Sequence, residues 1–249
     1  LPHPPVLPAA WHLPYSLREA PRFRVTSFSL PSQQLSEVAK DHQATITEFL
    51  GAGFLFSLQE LRLEYGKGSP HIRVQIPFDL RRKFDAFTLR NFSLFVLPEI
   101  DTRMGHYTFA EILQEVKITI QRSDEKRIRN IISRNVSNEK NPVIRAMPLF
   151  IKSRVLRMAY RKFGPSQFTS IITNMGRVVP QGPAADLIQA MSVTPPPPHR
   201  DIKVTCGLIS LGTSTVLTFG SLTGSTGLQR EFVRFLTGAG IKVKLLNNG

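Results

Sequence analysis

The sequence is poor in the residues that assemble disulfides and metal centres. Its one cysteine, Cys206, lies in an apolar run and has no second cysteine with which to form a disulfide. The six histidines are scattered along the chain, and one cysteine cannot complete a zinc cluster, so no metal site is predicted. An unpaired cysteine fits a reducing compartment, and we therefore expect a cytoplasmic location.

Long apolar runs are also missing. No segment approaches the roughly 20 apolar residues that a membrane-spanning helix needs, and the first residues lack the charged start and apolar core of a secretory signal. At 249 residues, 41% of them hydrophobic and 20% charged, the chain is long enough to bury a complete core. The composition therefore predicts a globular protein with neither a membrane span nor an export signal.

Common catalytic and nucleotide-binding motifs do not occur. Gly220 to Gly224 reads GSLTG, with leucine where a nucleophile elbow needs serine. GKGS at Gly66 to Ser69 lacks the spacing of a Walker loop. No histidine has a second histidine beside it, or a nearby aspartate that would orient its imidazole as a general base. By its own residues, the chain is not a complete enzyme.

Acidic residues are the scarcer charge, with 18 Asp and Glu against 32 Lys and Arg and a formal net charge of +14. The excess is concentrated between Glu115 and Lys162, which hold 13 basic and 4 acidic residues. A basic surface raises the question of nucleic acid. Because no helix-turn-helix or zinc-finger pattern accompanies it, a nucleic-acid-binding domain is the less favoured alternative.

Strand and helix patterns alternate over residues 23–249. Five prolines between Leu1 and Pro14 instead favour a linker or an extended crossing segment over residues 1–22. The patterns predict helices at 32–41, 44–65, 107–121, 124–135, 149–162 and 228–236, and strands at 23–30, 71–76, 92–100, 168–173, 202–210, 215–221 and 241–246. This order predicts an α/β domain in which helices are layered on a mixed sheet.

Helix starts carry recognisable capping signals. Ser32 is a candidate N-cap for the first helix, and Thr45 with Glu48 fits a capping box for the second. In the second helix the apolar spacing predicts a face that is buried in the core, comprising Phe49, Leu50, Phe54, Leu58 and Leu61. Gly51 and Gly53 weaken that helix by roughly 1 kcal/mol each relative to alanine, which suggests close packing against the sheet.

The most informative connection lies between the strands at 71–76 and 92–100. It reads PFDLRRKFDAFTLRNF from Pro77 to Phe92 and sets polar residues among bulky apolar ones, namely Asp79, Arg81, Arg82, Arg90 and Asn91. Loops of this kind display polar groups for function. The alternative is a surface loop whose arginines pair with Asp79 and Asp85.

The predicted helix at 149–162 has two contrasting faces. One is an apolar stripe of Ile151, Val155, Met158 and Ala159, and the other is lined by Arg154, Arg157 and Arg161. A solvated basic face is the ordinary interpretation of the arginines. The alternatives are a site for phosphate groups or a peripheral membrane contact.

Three segments occur in the same order as in a known group of acyltransferases. ATITEFLGAGFLFSL (44–58), IPFDLRRKFDAFTLRNFSLFV (76–96) and SIITNMGRV (170–178) resemble the C-terminal half of alcohol O-acetyltransferase-like proteins. These belong to the superfamily of chloramphenicol acetyltransferase and nonribosomal peptide condensation domains. The resemblance covers nearly the whole chain, and its most specific part is P-x-D-L-R followed by T-L-R-N-F. It implies a two-lobed fold with an active-site tunnel between the lobes.

The resemblance also implies an activity, the transfer of an acyl group from acyl-CoA or an acyl-carrier thioester to an alcohol or amine, with no bound cofactor. The group's catalytic HHxxxD motif is absent here, and so is DFGWG. We therefore expect this chain to be the C-terminal lobe, inactive alone, with its partners being the missing N-terminal lobe, a small acceptor and an acyl carrier protein. The proline-rich start without methionine favours this expectation over a non-catalytic condensation-like interaction module.

The same resemblance assigns site residues. The expected cleft-lining set is Asn91, Thr173, Asn174 and Gly176. The asparagine amides would orient the thioester carbonyl, although capping of turns is an equal alternative. The expected loop-holding set is Asp79, Arg81 and Arg90, with Arg81 paired to Asp79 by a bidentate contact. The basic face of Arg154, Arg157 and Arg161 is expected to contact coenzyme A phosphates or an acidic carrier.

Overall fold

The computed structural model describes residues 7–20, 22–81, 84–85, 87–89, 92–123, 125–140, 142–183 and 185–248. The strands in these ranges are β1 Arg24–Pro31, β2 His71–Asp79, β3 Ser93–Val96, β4 Glu99–Asp101, β5 Ser170–Val178, β6 Val204–Leu211, β7 Ser214–Ser221 and β8 Lys244–Asn248. The α-helices are α1 Ser32–Asp41, α2 Ile46–Tyr65, α3 Phe109–Gln121, α4 Glu125–Lys140, α5 Pro142–Ala146, α6 Leu149–Phe163 and α7 Gly227–Gly238.

The strands form one mixed sheet in the order β3-β2-β5-β6-β7-β1-β8, with β4 paired to the start of β2. Its central part is parallel, because β5 runs parallel to both β2 and β6, and the remaining pairs are antiparallel. Helices α2, α3 and α7 are layered on one face. The predicted α/β fold with a mixed sheet is confirmed.

Helix α2 is the centre of the core. All five residues of its predicted apolar face are buried, and the capping box between Thr45 and Glu48 is present. The Thr45 hydroxyl accepts from the Glu48 amide, while the Glu48 carboxylate accepts from the Thr45 amide. These contacts satisfy two of the amides that a helix start leaves unpaired, and they fix where α2 begins.

The opposite face of the sheet is crossed by the proline-rich segment 193–198. A Cβ atom on Gly207 of β6 would lie 2.7 Å from the Pro195 ring, and one on Gly220 of β7 would lie 2.7 Å from the Pro195 carbonyl. The Thr205 hydroxyl donates to that same carbonyl. Two glycines in neighbouring strands therefore make the groove in which the segment lies.

The segment that precedes β1 packs into the same core. Trp11, Leu13 and Tyr15 are buried, and Trp11 Nε1 donates to the Lys67 carbonyl just beyond the end of α2 (2.9 Å). Tyr15 contacts Tyr65 edge-on, with ring centroids 5.7 Å apart. The division of the chain into residues 1–22 and 23–249 stays a prediction. The three buried side chains lie in the first of these two parts and belong to the core.

Several element boundaries differ from the prediction. Strand β2 does not end at Pro77 but pairs through it with β3. Pro77 is tolerated because the pairing of β2 with β5 stops at Gln75, so the strand has only one neighbour there. The predicted single strand 92–100 is two strands, β3 and β4, separated at Pro98 and paired with different parts of β2. Strand β5 runs on to Val178 beyond an irregularity.

The predicted N-cap role of Ser32 is wrong. Helix α1 begins at Ser32 itself, and the cap position is Pro31, which has no side chain able to cap. The Ser32 hydroxyl lies 2.9 Å from Thr215 Oγ1 of β7. The hydroxyl lies next to the sheet because α1 follows β1 without a connecting loop.

Candidate functional site

The carboxyl ends of the parallel strands β2 and β5 meet the start of α2 at one edge of the sheet. Ligands of α/β sheets bind outside the carboxyl ends of parallel strands, where the connections diverge. The start of α2 also carries the positive end of the helix dipole. This edge is therefore the candidate site, and it contains two of the four predicted cleft residues.

Asn174 lies at the centre of this edge. Its Nδ2 donates to Thr47 Oγ1 in the first turn of α2 (3.1 Å), and its Oδ1 accepts from the Gly176 amide (2.9 Å). Gly176 has φ +76°, and the pairing of β5 with β6 shifts register between Asn174 and Arg177. Only glycine adopts this backbone conformation without strain. The irregularity therefore turns the Asn174 amide toward α2 and holds it there.

An apolar cavity of about 350 Å³ opens beside this cluster. Its walls are Ile76 and Phe78 of β2, Val96 of β3 and Ile120 of α3. Its polar lining consists of Thr45, Thr47, Glu48 and Ser123, in the first turn of α2 and just past the end of α3. Thr47 lines the cavity and also accepts the hydrogen bond from Asn174, so the polar cluster and the cavity share a residue.

The other predicted cleft residues are not joined to this cluster. Thr173 precedes Asn174 in an extended strand and pairs with Gly207, so its side chain lies on the opposite face of the sheet. Asn91 and Arg90 lie outside the described residues. Sequence analysis missed Thr47, whose only signal was its place in the first turn of a helix that the capping box locates.

The predicted pairing of Arg81 with Asp79 is present. Arg81 Nη1 donates to Asp79 Oδ2 (3.1 Å), the Arg81 backbone amide donates to Asp79 Oδ1 (3.0 Å), and Nε donates to the Thr88 carbonyl (2.9 Å). The expected bidentate contact of the guanidinium is wrong, because within the described residues one guanidinium N–H and the Arg81 backbone amide hold the carboxylate, while Nε is directed to Thr88. Arg81 thereby joins the end of β2 to Thr88, within the loop that follows it.

The predicted basic face lies on α6. Arg154 and Arg157 are exposed and border a shallow groove with Phe150, Ser153 and Met158, while the side chain of Arg161 lies outside the described part. Within the described contacts, no hydrogen bond joins these arginines to Asn174. The apolar stripe is exposed too, since Ile151, Val155 and Met158 all face solvent.

Three histidines are paired with carboxylates, which corrects the expectation that none has an orienting partner. His71 Nδ1 lies 2.6 Å from Glu99, and His106 Nε2 lies 2.7 Å from Glu60. His199 Nδ1 lies 3.2 Å from the Asp201 carboxylate. The first two pairs join residues distant in sequence, so the pattern along the chain could not reveal them. In the third, the aspartate is only two residues from the histidine, a spacing that the sequence does show.

His12 lies near His199, Asp201 and Lys203. Burial lowers the pKa of His12, and the charges of Lys203 and His199 lower it further, whereas Asp201 opposes the shift. Its Nδ1 is buried and has no hydrogen-bond partner within the described residues. The arrangement keeps this imidazole neutral at physiological pH. Among the described residues, no group of His, Cys, Asp and Glu side chains is arranged to hold a metal ion.

Comparison with solved structures identifies the fold as that of the condensation domains and related acyltransferases. The chain resembles the condensation domain that mediates chain release from the enacyloxin polyketide synthase, with 16% identity and a TM-score of 0.50. It likewise resembles the wax ester synthase/diacylglycerol acyltransferase from Marinobacter aquaeolei VT8, with 9% identity and a TM-score of 0.50. A third similar structure is a nonribosomal peptide synthetase cyclization-docking bidomain from Sorangium cellulosum, with 18% identity and a TM-score of 0.51. No protein-family model and no curated protein matches the chain.

The matches cover almost all of this chain and about half of each other protein. The match to the enacyloxin condensation domain spans 94% of this chain and 44% of the other. The corresponding shares are 93% and 52% for the wax ester synthase, and 96% and 45% for the cyclization-docking bidomain. At these identities the likeness establishes the fold. The chain therefore has a chloramphenicol-acetyltransferase-like fold, in keeping with the C-terminal lobe that the three sequence segments predict. No helix in the described ranges is both long and apolar enough to cross a membrane.

Proposed function

We propose that this chain is the C-terminal lobe of an acyl-thioester-dependent acyltransferase that transfers an acyl group to an alcohol or amine. The reaction needs a general base to take the proton of the acceptor as it attacks the thioester carbonyl. We assign that base to the HHxxxD motif of a partner lobe, because this sequence contains no His-His pair. The chain itself then contributes one wall of the cleft.

The observation that carries the proposal is the fixed amide of Asn174 at the carboxyl ends of β2 and β5. It lies between Thr47 and Gly176 and next to an apolar cavity. Hydrogen-bond donors held rigidly where charge develops lower the barrier of acyl transfer, because they need no reorganisation during the reaction. In this proposal Asn174 orients the thioester carbonyl or holds the loop that does so.

The proposed co-substrate is acyl-CoA or an acyl-carrier thioester in the cytoplasm. The exposed Arg154 and Arg157 on α6 offer positive charge to coenzyme A phosphates or to an acidic carrier protein. Replacing both with glutamine is expected to raise the KM for the thioester and to leave kcat for an alcohol acceptor unchanged.

The decisive experiment is to sequence the coding region upstream of Leu1 and to express the longer protein. We expect an HHxxxD motif there, and acyl transfer to alcohols or amines detected by mass spectrometry. A start codon at Leu1, with no transfer activity, would instead support a non-catalytic interaction module.

In that longer protein, Asn174→Ala is expected to lower kcat about 100-fold or more, in the range that loss of a positioned amide donor produces. Asn174→Asp keeps the oxygen that accepts from the Gly176 amide, and it separates the loss of the donor from a change in backbone shape. Thr173→Ala, on the opposite face of β5, is the matched control and should leave kcat unchanged. An Asn174→Ala enzyme with unaltered kcat would remove Asn174 from the site.

A further inference from the structure

The cavity beside Asn174 is closed on its inner side by apolar side chains. Ile76 and Val96 are almost fully buried, and Phe78 and Ile120 are partly buried against the core. Its polar groups lie in the first turn of α2 and just past the end of α3. A ligand that enters between these polar groups therefore meets only hydrocarbon further in.

The polar groups of the first turn already have partners in the protein. The Glu48 carboxylate accepts from both the backbone amide and the hydroxyl of Thr45 (2.8 and 2.9 Å), and Thr47 accepts from Asn174. Because these groups are satisfied, the cavity has little to offer a polar or charged ligand. Its chemistry favours an aliphatic one.

We propose that this cavity binds the aliphatic chain of the acyl group. The inference rests on the proposed function and specifies its donor: a single, unbranched chain of short to medium length. The volume of about 350 Å³ is near the lower end of the range for small-molecule pockets, and is too small for a lipid with two long chains. Thr47 lines the cavity and contacts Asn174, so a chain buried here has its carbonyl end next to the fixed amide.

The test is calorimetric titration of this chain with straight-chain alcohols from butanol to dodecanol. Each methylene moved from water into the cavity should tighten binding about fourfold, until the cavity is full and the affinity levels off. An affinity that does not depend on chain length would overturn the proposal.

Two variants alter the cavity in opposite directions. Ile120→Trp should shorten the chain length at which the affinity levels off, and Phe78→Ala should lengthen it. Ile118→Trp is the matched control, because residues two apart on a helix do not face the same side and Ile118 does not line the cavity. The Phe78→Ala variant is first shown by circular dichroism to be folded. If its affinity then levels off at the same chain length as in the wild type, the cavity proposal is overturned, even if Ile120→Trp does not fold.

The cavity and the proposed function can fail separately. If alcohols bind with the expected dependence on length and the longer protein transfers no acyl group, the cavity stands and the acyltransferase proposal falls. If the longer protein is active but its preference for acyl length is the same in the wild type and the Phe78→Ala variant, the cavity proposal falls alone.

Discussion

Arg73 on β2 is a fully buried arginine that contacts three separate segments. Its Nε donates to Glu99 Oε2 of β4 (2.5 Å), Nη1 donates to the Gln167 carbonyl before β5 (2.9 Å), and Nη2 donates to the Pro8 carbonyl (2.8 Å). A buried charge is tolerated only when it is paired and hydrogen-bonded in this way. Arg73 thus fastens the proline-rich start of the chain to the sheet.

Arg73→Met is expected to lower the free energy of unfolding by about 3–5 kcal/mol, since it leaves two carbonyls without their donor and removes the guanidinium that pairs with Glu99 Oε2. Arg81→Ala is the matched contrast. The side chains of Arg81 and Asp79 are 39% and 48% exposed, so solvent screens the pair and the loss should stay below about 1 kcal/mol. Urea denaturation measures both values, and equal losses would contradict the role assigned to Arg73.

His12 predicts a pH dependence of stability. Because its pKa in the folded protein lies below the ordinary 6.5, the unfolded chain binds the proton more tightly, and stability falls as the pH is lowered below about 6.5. The His12→Gln variant retains the neighbouring Asp201, Lys203 and His199. As the pH falls through that range, the stability of this variant should therefore decrease less steeply than that of the wild type. Melting temperatures between pH 5 and 8 measure the difference, and identical slopes for the two proteins would refute it.

At the scale of elements, helix α2 owes its position to small residues. A Cβ atom on Gly51 would lie 2.7 Å from Ile76 Cδ1 in the sheet, and one on Gly53 would lie 2.1 Å from the Phe235 ring of α7. The predicted close packing against the sheet therefore holds for Gly51, whereas Gly53 accommodates another helix. The cost in helix propensity is offset by the burial of aromatic rings where α2 meets α7.

Gly53→Ala is expected to destabilise the fold by about 1–3 kcal/mol, because the Phe235 ring has to move. Gly238→Ala, at the end of α7, is the control: its Cβ would have no neighbour within 4 Å, and alanine should be neutral or stabilise by up to about 1 kcal/mol. Thermal unfolding distinguishes the two. A neutral Gly53→Ala would show that the contact between α2 and α7 is loosely packed.

Across the whole molecule, burial is uneven. Leu149, Phe150 and Met158 on α6 are 81%, 72% and 68% exposed, whereas α7 buries Leu228, Phe232 and Leu236. A helix of 15 residues gains little stability without packing. Helix α6 therefore has little support from the core in the described part of the chain.

Hydrogen exchange should expose this difference. Backbone amides of α6 are expected to exchange orders of magnitude faster than those of α7, because opening α6 exposes almost no new apolar surface. Helix α7 is the internal control, as it is of similar length and packs on α2. Equal protection of the two helices in the isolated chain would mean that α6 is covered in solution by a second copy.

The sequence by itself determined what depends on neighbours along the chain: the bounds of α1, the Thr45–Glu48 capping box, the buried face of α2 and the strands β6 and β7. Their signals are local, since capping and periodic burial involve residues within a turn or two. Only the tertiary structure decided that Asn174 meets Thr47, that Thr173 lies on the other face, and that His71 pairs with Glu99. These contacts join residues 28 to 127 positions apart or follow from the register of strands. Their partners are set by how the sheet and helices pack, because that packing alone brings distant residues together.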